Sequence, residues 1–348
     1  MIQVKKEGVL LEKTIIPFEN EGVLNPAAIK EGDFVHLFYR AVRKGNHSSI
    51  GYCKLEGPLL VVDRNKSPIL FPEFDYESHG IEDPRIVKIE DTYYLTYTGF
   101  DGINALGCLA ISKDLIHFEK KGIIVPQISF EKFNSLAGMD VPLNEKYFRY
   151  NRHNVELEKH PKRSLLWDKN VIFFPRKIKG KFYLLHRIKP EIQILVGIED
   201  LNDLTELFYD DYMVHFNDHV VLTSKFDHEI SYVGGGCPPI ETDQGWLIIY
   251  HGVKDGLDGY IYSACAALLD LEDPRKEIAR LPYPLFKPEL EWELKGEVNN
   301  VCFPSGAVFF NDTLYIYYGA ADERIACASV SFSGLINELL LNKLHDDK

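Results

Sequence analysis

Polar side chains suited to acid–base and anion chemistry stand near the starts of several short strand-like segments. They are Asn25 with Arg40, Glu82 to Arg85, Asp168 to Asn170 with His186 and Arg187, Gly234 to Pro239 with His251, and Asn299 to Asn300 with Asp322. Singly, each is explained equally well by capping a strand end and binding water. Charges buried together are costly unless they are paired or used for a ligand. The mixture favours a polyhydroxylated ligand, with a carboxylic acid beside an anion site.

The elements that must position these groups follow from one repeated pattern, a polar turn and then a strand of alternating aromatic and aliphatic residues. Its copies begin at Asp33, Asp91, Gly180, Gly245 and Asp312, 58 to 89 residues apart. A short strand that starts near a proline precedes each copy, and a strand of small residues follows. Repeats of this size built from hairpins are typical of a β-propeller. The sequence therefore predicts an all-β fold, a five-bladed β-propeller in which residues 1–348 form one domain and the polar openings meet at one mouth.

Length and composition are consistent with this interpretation. By themselves, 348 residues allow two domains or one large one. The 19 Tyr, 21 Phe and 3 Trp favour strands over helices. The formal net charge of −13 argues against nucleic acid as a general partner, because such a chain does not readily neutralise phosphate backbones.

The location of the protein is predicted from its ends and its cysteines. The N-terminal segment does not have the pattern of a signal peptide, and no apolar run is long enough to cross a membrane. The six Cys include no C-x-x-C pair, which argues against structural zinc. Four of them, Cys53, Cys108, Cys265 and Cys327, stand among small residues and are expected to be buried thiols. We expect a reduced, cytoplasmic protein without a membrane partner.

Two segments interrupt the repeat. Residues 122–166 form an insertion, which includes Met139-Asp-Val-Pro and the basic run Lys159 to Arg163; it is expected to be a functional loop or an oligomer contact. The basic run alone is expected to be a solvated loop. Residues 333–344 have the Leu and Ile spacing of a helix that packs on the rim. Either segment could support a homo-oligomer.

Other catalytic signatures are not found. The chain has no P-loop, no G-x-S-x-G and no H-E-x-x-H. His215 and His219 have a helical spacing but no third ligand in view, so they are expected to be surface residues. We therefore expect neither a metal nor an organic cofactor.

A family resemblance rests on segments that run in order along the chain. They are Gly80–Arg85, Leu184–Arg187, Gly236–Ile240, Gly245–Val253, Ala267–Asp270, Leu281–Phe286, Val301–Gly306 and Tyr317–Asp322. Together they resemble glycoside hydrolase family 130, five-bladed β-mannoside phosphorylases and β-mannosidases, over about residues 20–330.

The resemblance implies an inverting attack at the anomeric carbon of a β-mannosyl unit, with inorganic phosphate as co-substrate and α-mannose 1-phosphate as product. Asp83 would be the catalytic acid, acting through the 3-hydroxyl of the bound mannose. Asn25, Arg40, His251 and Asp322 are expected to hold the sugar. Lys169, Asn170, Arg187 and Tyr262 are expected to bind phosphate.

One departure from the family pattern leaves alternatives open. Many phosphorylases carry a further Lys just before the Gly-rich stretch, where this chain has Ser231-Tyr232-Val233. Since Lys169 and Arg187 remain, phosphorolysis is favoured. The alternatives are an inverting β-mannosidase, a hydrolase with Glu229 as the base for water, and a non-catalytic sugar-binding propeller. The segments around Trp167 and His186 favour β-1,2 over β-1,4 linkages.

Overall fold

Antiparallel strands dominate the computed structural model, which describes residues 1–139, 142–156 and 164–344. The prediction of an all-β fold is confirmed, with few helices beside the sheets. Within the described ranges, no helix combines the length and the apolar character needed to cross a membrane. The basic run at 159–163 lies outside the described residues.

The described strands form five antiparallel meanders. The first comprises β2 (Gly22–Glu31), β3 (Phe34–Arg43), β4 (His47–Glu56) and β5 (Leu60–Arg64). The second comprises β6 (Gly80–Ile89), β7 (Thr92–Phe100), β8 (Ala105–Ser112) and β9 (Phe118–Ile123). A single parallel pair, Ser48 with Gly80, joins these two. The third comprises β10 (Lys169–Phe173), β11 (Phe182–Arg187), β12 (Ile192–Ile198) and β13 (Val220–Leu222).

The fourth and fifth meanders complete the arrangement. In the fourth, β14 (Tyr232–Gly235) and β15 (Ile240–Thr242) both pair with β16 (Gly245–Gly256), which is followed by β17 (Gly259–Leu269) and β18 (Glu277–Arg280). The fifth comprises β19 (Cys302–Phe310), β20 (Thr313–Ala320), β21 (Arg324–Ser331) and, against β21, the N-terminal β1 (Lys5–Leu11). The first strand of the chain, β1, and the last, β21, are therefore neighbours in one sheet.

The first strands of the meanders are neighbours. β2 contacts β6 and β19, and β10 contacts β6 and β14. The aromatic segments of the sequence repeat are the second strands, β3, β7, β11, β16 and β20. The small-residue strands β4, β8, β17 and β21 carry Cys53, Cys108, Cys265 and Cys327, whose thiols are buried and free, as predicted; Cys237 and Cys302 are buried and free as well. The prediction that a short strand starting near a proline precedes each copy was wrong for the third meander, where Pro175 follows β10; in the fourth, Pro238 and Pro239 follow β14 and directly precede β15.

Four of the meanders each contain a buried glutamate that contacts several elements of its own meander. Glu19, Glu77, Glu229 and Glu293 sit in the short helical turns Pro17–Glu19, Asp75–Glu77, Asp227–Glu229 and α4 (Glu291–Leu294), just before a first strand. Each accepts a hydrogen bond from a second-strand tyrosine, which is Tyr39, Tyr97, Tyr250 or Tyr318. Each also pairs with a cation of the outermost strand, which is Arg64, Lys120, Arg280 or Lys6. These carboxylates are fully buried, and their hydrogen-bond donors and cations offset the free-energy cost of burying a charge.

The third meander differs at the same place. His186 occupies the position of the tyrosine; its Nδ1 lies 2.8 Å from Asp168 Oδ2 and its Nε2 lies 2.7 Å from the Tyr212 hydroxyl. Asp168 and His186 are fully buried, and they directly precede Lys169 and Arg187. This buried cluster fixes the backbone that carries both cations.

The predicted insertion at 122–166 contains two helices, α1 (Phe130–Ala137) and α2 (Glu145–Glu156). Phe133 of α1 packs edge-on against Phe216 and contacts Tyr147 of α2. α3 (Glu206–Val214) and the short turns Leu201–Asp203 and Phe216–His219 complete this layer over the third meander. The predicted tail helix is α5 (Phe332–Leu341), with Leu335 and Leu339 in the core.

Candidate functional site

Backbone bulges in the first strands bring the site together. Asn25, Asp83 and Asn170 have φ values of 49°, 50° and 54°, and the strand register is interrupted at each of them. Asn and Asp adopt this left-handed region more readily than other residues with a side chain. A bulge turns a side chain out of the regular alternation of a strand, and bulges are frequent beside active sites. Three side chains far apart in sequence are thereby placed at one cleft.

Asp83 lies at the centre of this cleft. Asn25 Nδ2 donates a hydrogen bond to Asp83 Oδ1 at 2.8 Å, and Arg40 Nη1 lies 3.8 Å from the same oxygen. Arg85 donates to the backbone carbonyls of Asp83 and Pro84 at 3.0 and 2.9 Å. The backbone and side chain of Asp83 are thus fixed from three directions.

Glu82 links the two cationic sides of the cleft. Its Oε1 accepts from Arg40 Nη2 at 2.9 Å, and its Oε2 accepts from Lys169 Nζ at 3.0 Å. The sequence analysis named Glu82 among the polar residues at the second opening but assigned it no role. It holds one cation on each side of Asp83.

The two aspartates of the site differ in protonation. Burial acts to raise the pKa of Asp83, but the charges of Arg40, Lys169 and Arg85 outweigh it, and the pKa is lowered. Burial raises the pKa of Asp322 to about 6, the charge of Asp83 adds to the rise, and Arg40 opposes it. In the free protein near pH 6, Asp83 is therefore ionised while Asp322 still holds a proton part of the time.

The predicted anion-binding residues lie on the other side of Glu82. Arg187 Nη1 lies 3.3 Å from His251 Nε2. The hydroxyls of Tyr262 and Tyr232 are hydrogen-bonded to each other. Burial, reinforced by the charge of Arg187, holds the pKa of His251 well below its ordinary value, so its imidazole is neutral. His251, which was predicted to hold the sugar, is thus in contact with the anion-binding Arg187.

Two cavities lie beside the two cations that pair with Glu82. One, of about 310 Å³, is lined by Arg40 and Asp322 among others. The other, of about 270 Å³, is lined by Arg149, Tyr150, Asn151, Trp167, Lys169, Arg187, Lys189 and Tyr260. Sequence reasoning missed the contributions of α2 and of Lys189 to this second cavity, because both depend on how the insertion packs.

Buried polar atoms without a protein partner mark the same cleft. Among the described residues, eleven side chains carry such an atom: six are at the cleft, namely Asn25, Arg40, Arg85, Asn170, Arg187 and His251, and the other five, Ser48, Asp210, His219, His228 and Trp292, lie elsewhere. Buried polar groups in proteins are almost always hydrogen-bonded, so a cluster of exceptions indicates a ligand site. Asn299 and Asn300, by contrast, belong to the turn before β19, where Asn299 accepts from the backbone of Gly296.

Glu229 lies away from the cleft, in the buried cluster that it forms with Tyr250 and Arg280 in the fourth meander. One of its oxygens accepts from the backbone N–H groups of Lys225 and Phe226 and from Arg280 Nη1, and the other accepts from Tyr250. The carboxylate is fully buried. This placement argues against the predicted alternative in which Glu229 is a base for water, because the carboxylate is already occupied and inaccessible.

The described residues contain one close group of metal-ligand types, namely His228, Glu229 and Cys265, whose ligand atoms lie within 4.8 Å of one another. Arg280 donates to the same Glu229 carboxylate, and burial keeps the pKa of Cys265 well above its ordinary value. Both features favour a structural interpretation over a metal site.

An all-β chain whose sheets bring carboxylates, amides and basic side chains to one cleft is of a class suited to binding a polyhydroxylated ligand beside an anion. The chain belongs to glycoside hydrolase family 130: the family model, described as beta-1,4-mannooligosaccharide phosphorylase, matches residues 12–160 and 145–340. The resemblance predicted from the sequence motifs is therefore confirmed.

Two relatives are similar over nearly their whole length. A 1,2-beta-oligomannan phosphorylase of Thermoanaerobacter sp. (strain X514) is 35% identical over 344 residues, which cover 94% of this chain and 97% of the relative. A beta-1,2-mannobiose phosphorylase of the same organism is 35% identical over 329 residues, covering 90% and 91%.

Among solved structures, the beta-1,2-mannobiose phosphorylase from Listeria innocua in complex with beta-1,2-mannobiose superposes with a TM-score of 0.73. The match covers 98% of this chain and 100% of that one at 22% sequence identity. At this identity the likeness concerns the fold alone.

Proposed function

We propose that this protein is an inverting β-mannoside phosphorylase, which cleaves β-linked manno-oligosaccharides with inorganic phosphate and releases α-mannose 1-phosphate. The observation that carries the proposal is the pair of cations Lys169 and Arg187 beside Asp83, of which Arg187 has no carboxylate partner in the described ranges. Both relatives named above are phosphorylases of β-mannosides, which supports the same activity here.

The linkage is proposed to be β-1,2. The two relatives that cover nine-tenths or more of this chain carry β-1,2 names. A Beta-1,4-mannooligosaccharide phosphorylase of Ruminococcus albus is 33% identical over only 49% of this chain. The β-1,4 linkage, which also describes the family model, is the alternative that the product assay must exclude.

The sugar is held on the Arg40 side of the cleft. Asn25, Arg40 and Asp322 offer an amide, a guanidinium and a carboxyl group, which suit the hydroxyls of a mannosyl unit. Asn25 Oδ1 and Arg40 Nε are buried without a protein partner in the described ranges and are free to bind those hydroxyls. The phosphate is held on the other side, by Lys169, Asn170, Arg187 and the hydroxyl of Tyr262.

In the reaction, a phosphate oxygen forms a bond to the anomeric carbon from the face opposite the glycosidic oxygen, and the bond to that oxygen breaks. The proton that the leaving oxygen needs comes from Asp83 through the 3-hydroxyl of the mannose. Phosphate is already an anion, so the attack requires no protein base. This is consistent with a site in which one aspartate is central and Glu229 is out of reach. The reaction needs no metal or organic cofactor.

Phosphate binding also prepares the acid. Asp83 has a lowered pKa in the free protein, since positive charges outweigh the effect of burial. A dianion beside Lys169 and Arg187 compensates those charges and adds negative potential, which raises the pKa of a neighbouring carboxyl. Asp83 is therefore expected to take up its proton when phosphate is bound, so that the acid is ready only when the nucleophile is present.

The larger architecture belongs to the same proposal. We infer that the five meanders are the blades of a closed five-bladed propeller in one domain, supported by the contacts between neighbouring first strands and by the pairing of β1 with β21. A reducing, cytoplasmic location is supported by the six free, buried thiols. Self-association through the insertion or the tail helix stays a prediction.

The experiment that tests the proposal compares products with and without inorganic phosphate, using β-1,2- and β-1,4-mannobiose. The expected result is mannose 1-phosphate from β-1,2-mannobiose and only when phosphate is present. Release of free mannose without phosphate would establish the hydrolase instead. Binding of mannobiose without any turnover would establish the non-catalytic alternative.

A further inference from the structure

Lys189 lies in the anion cavity and has no role assigned so far. It follows Arg187 by two residues, and its Nζ lies 4.1 Å from the ring centre of Tyr232. The guanidinium of Arg187 lies 5.7 Å from the centre of the same ring. Both side chains line the cavity of about 270 Å³ together with Lys169. Three cations from one region of the third meander thus share one small space.

The charges in this space are not balanced by the protein. Lys169 pairs with Glu82 at 3.0 Å. Within the described ranges, neither Arg187 nor Lys189 has a carboxylate at ion-pair distance, and the described cavity lining includes no Asp or Glu. The described lining of the cavity has four basic residues, Arg149, Lys169, Arg187 and Lys189, and no acidic one, so the space is suited to an anion such as phosphate.

The position of Lys189 is built into the fold. Asn151 Nδ2 donates to the backbone carbonyl of Lys189 at 2.9 Å, and Val233 N donates to the carbonyl of Pro190 at 3.0 Å. α2 and β14 therefore hold this segment from two sides. A lysine whose backbone is fixed and whose ammonium lies over a buried aromatic ring is not a solvated surface residue.

We propose that Lys189 is a third cationic ligand of the phosphate bound by Lys169 and Arg187. This inference rests on the proposed function, and it deepens it by assigning a residue to the co-substrate. It also explains how the cleft keeps three cations although Tyr232 stands near the position where many family members have a lysine.

A coupling to pH follows from the surroundings of Lys189. Burial, with the charges of Arg187 and Lys169, holds its pKa well below the ordinary value. The titratable and charged groups around it are Arg187, Lys169, Tyr232, Tyr260, Arg149, Tyr150, His251 and Glu191. Glu191 does not supply the missing charge, because it accepts from Tyr147 and burial raises its pKa. A bound dianion restores the charge of Lys189, so phosphate binding is accompanied by proton uptake at alkaline pH.

The test uses Lys189→Met, Lys189→Arg and a matched control, Lys177→Met. Lys177 also has its ammonium over an aromatic ring, 4.5 Å from the centre of Phe182, but it lies outside the cleft. The KM for inorganic phosphate is measured at saturating mannobiose. Phosphate binding to each protein is then measured by calorimetry at pH 8 in two buffers of different ionisation enthalpy, which reports the protons taken up.

Lys189→Met is expected to raise the KM for phosphate about 10- to 100-fold, as for the loss of a charged hydrogen bond, with the KM for mannobiose within about threefold. Lys189→Arg is expected to keep phosphate affinity within about tenfold of the wild type, because the charge is retained. Proton uptake on phosphate binding is expected to be greater in the wild type and in Lys177→Met than in both Lys189 variants, where only the uptake by Asp83 is left.

The inference is overturned if Lys189→Met keeps the wild-type KM for phosphate, or if the wild type and Lys189→Arg take up the same number of protons. The second measurement decides even if Lys189→Met does not fold. A wild-type enzyme that releases mannose without phosphate overturns the proposed function instead, and that outcome is visible before any variant is made.

Discussion

Asn25 of the first meander donates through its side-chain amide to Asp83 of the second, at 2.8 Å. Both residues stand at equivalent bulges of first strands, with φ values of 49° and 50°. The same backbone irregularity that turns Asn25 into the cleft therefore turns Asp83 toward it. This hydrogen bond orients the carboxylate and leaves the second oxygen of Asp83 free for a substrate hydroxyl.

Replacement of Asp83 by Asn is expected to reduce phosphorolysis about 10³-fold or more, because the proton donor is lost while the side chain keeps its shape. The measurement is the rate of mannose 1-phosphate formation, with the melting temperature as a check of folding. Asp91→Asn, at the exposed turn between β6 and β7, serves as the control and should keep wild-type activity. A folded Asp83→Asn enzyme that retains a tenth of the activity would contradict the role of Asp83.

Gly319 of β20 controls the position of Asn25 without lining either cavity. A Cβ at this glycine would lie 2.0 Å from Asn25 Oδ1 and 3.0 Å from its backbone N. Gly319→Ala must therefore displace Asn25 from Asp83, and displacements of about 1 Å can cost about 100-fold in rate. We expect kcat/KM for phosphorolysis to fall about 10- to 100-fold.

The control for Gly319→Ala is Gly22→Ala, in the first strand itself. Its nearest contact would be the carbonyl oxygen of Glu323 at 3.6 Å, an ordinary van der Waals distance. Gly22 also lines the cavity with Arg40, but none of its three nearest contacts is Asn25, so Gly22→Ala should keep kcat within about twofold, since nothing has to move. Equal activities of the two folded variants would show that the position of Asn25 does not govern catalysis.

The repeated glutamates permit a direct comparison between a proposed structural role and the alternative catalytic one. Glu229→Gln and Glu77→Gln each weaken a buried carboxylate–cation pair, with Arg280 or Lys120 as the cation. Each is expected to lower the free energy of unfolding by about 2–4 kcal/mol, because a buried cation loses its partner. The rate of the folded enzyme should stay within about threefold of wild type, since neither carboxylate reaches the cleft.

The measurements are urea unfolding and steady-state kinetics well below the melting temperature. If Glu229 were a base for water, its variant would lose activity far beyond the Glu77 variant at similar stability. That outcome would restore the hydrolase alternative.

The sequence repeat was sufficient to predict that several residues of the candidate site lie together, because strand register repeats with it. Arg40, Arg187 and His251 occupy the same position of their second strands, opposite Leu24, Lys169 and Gly234. A pattern with a period of two along each strand therefore places these side chains on the same face in these three meanders. The alternation of aromatic residues carried that information in the sequence.

Other parts of the site could not be predicted, for physical reasons. Glu82 bridges Arg40 and Lys169 through side-chain conformations that no strand pattern specifies. Glu229 stands near the Gly-rich stretch in sequence, but Tyr250 and Arg280, which are 21 and 51 residues away, draw it into the core. Lys189 reaches the cavity only because the insertion helix α2 packs beside it. Contacts of this kind depend on tertiary packing rather than on local pattern.

The pH dependence of stability tests the pairing of Asp322 with Asp83. The pKa of Asp322 is raised from 3.8 to about 6 by burial and by the charge of Asp83. A carboxyl whose pKa is raised on folding favours the folded state below its unfolded pKa, and this contribution is lost as the pH rises through the folded value. Relative to the wild type, Asp322→Asn should therefore become more stable as the pH is raised from 4 to above about 6.

The measurement is the difference in unfolding free energy between Asp322→Asn and wild type, from urea titrations across this pH range. Asp83→Asn provides the second background, because removing the charge of Asp83 removes one cause of the rise. In that background the pH at which the difference grows should move downward. A difference that is constant with pH, or a midpoint that Asp83→Asn leaves unchanged, would show that the two carboxyls do not interact. If the midpoint moves as expected, Asp322 in the free enzyme holds a proton close to the ionised Asp83, and phosphate binding has only to shift the proton balance between two neighbouring groups.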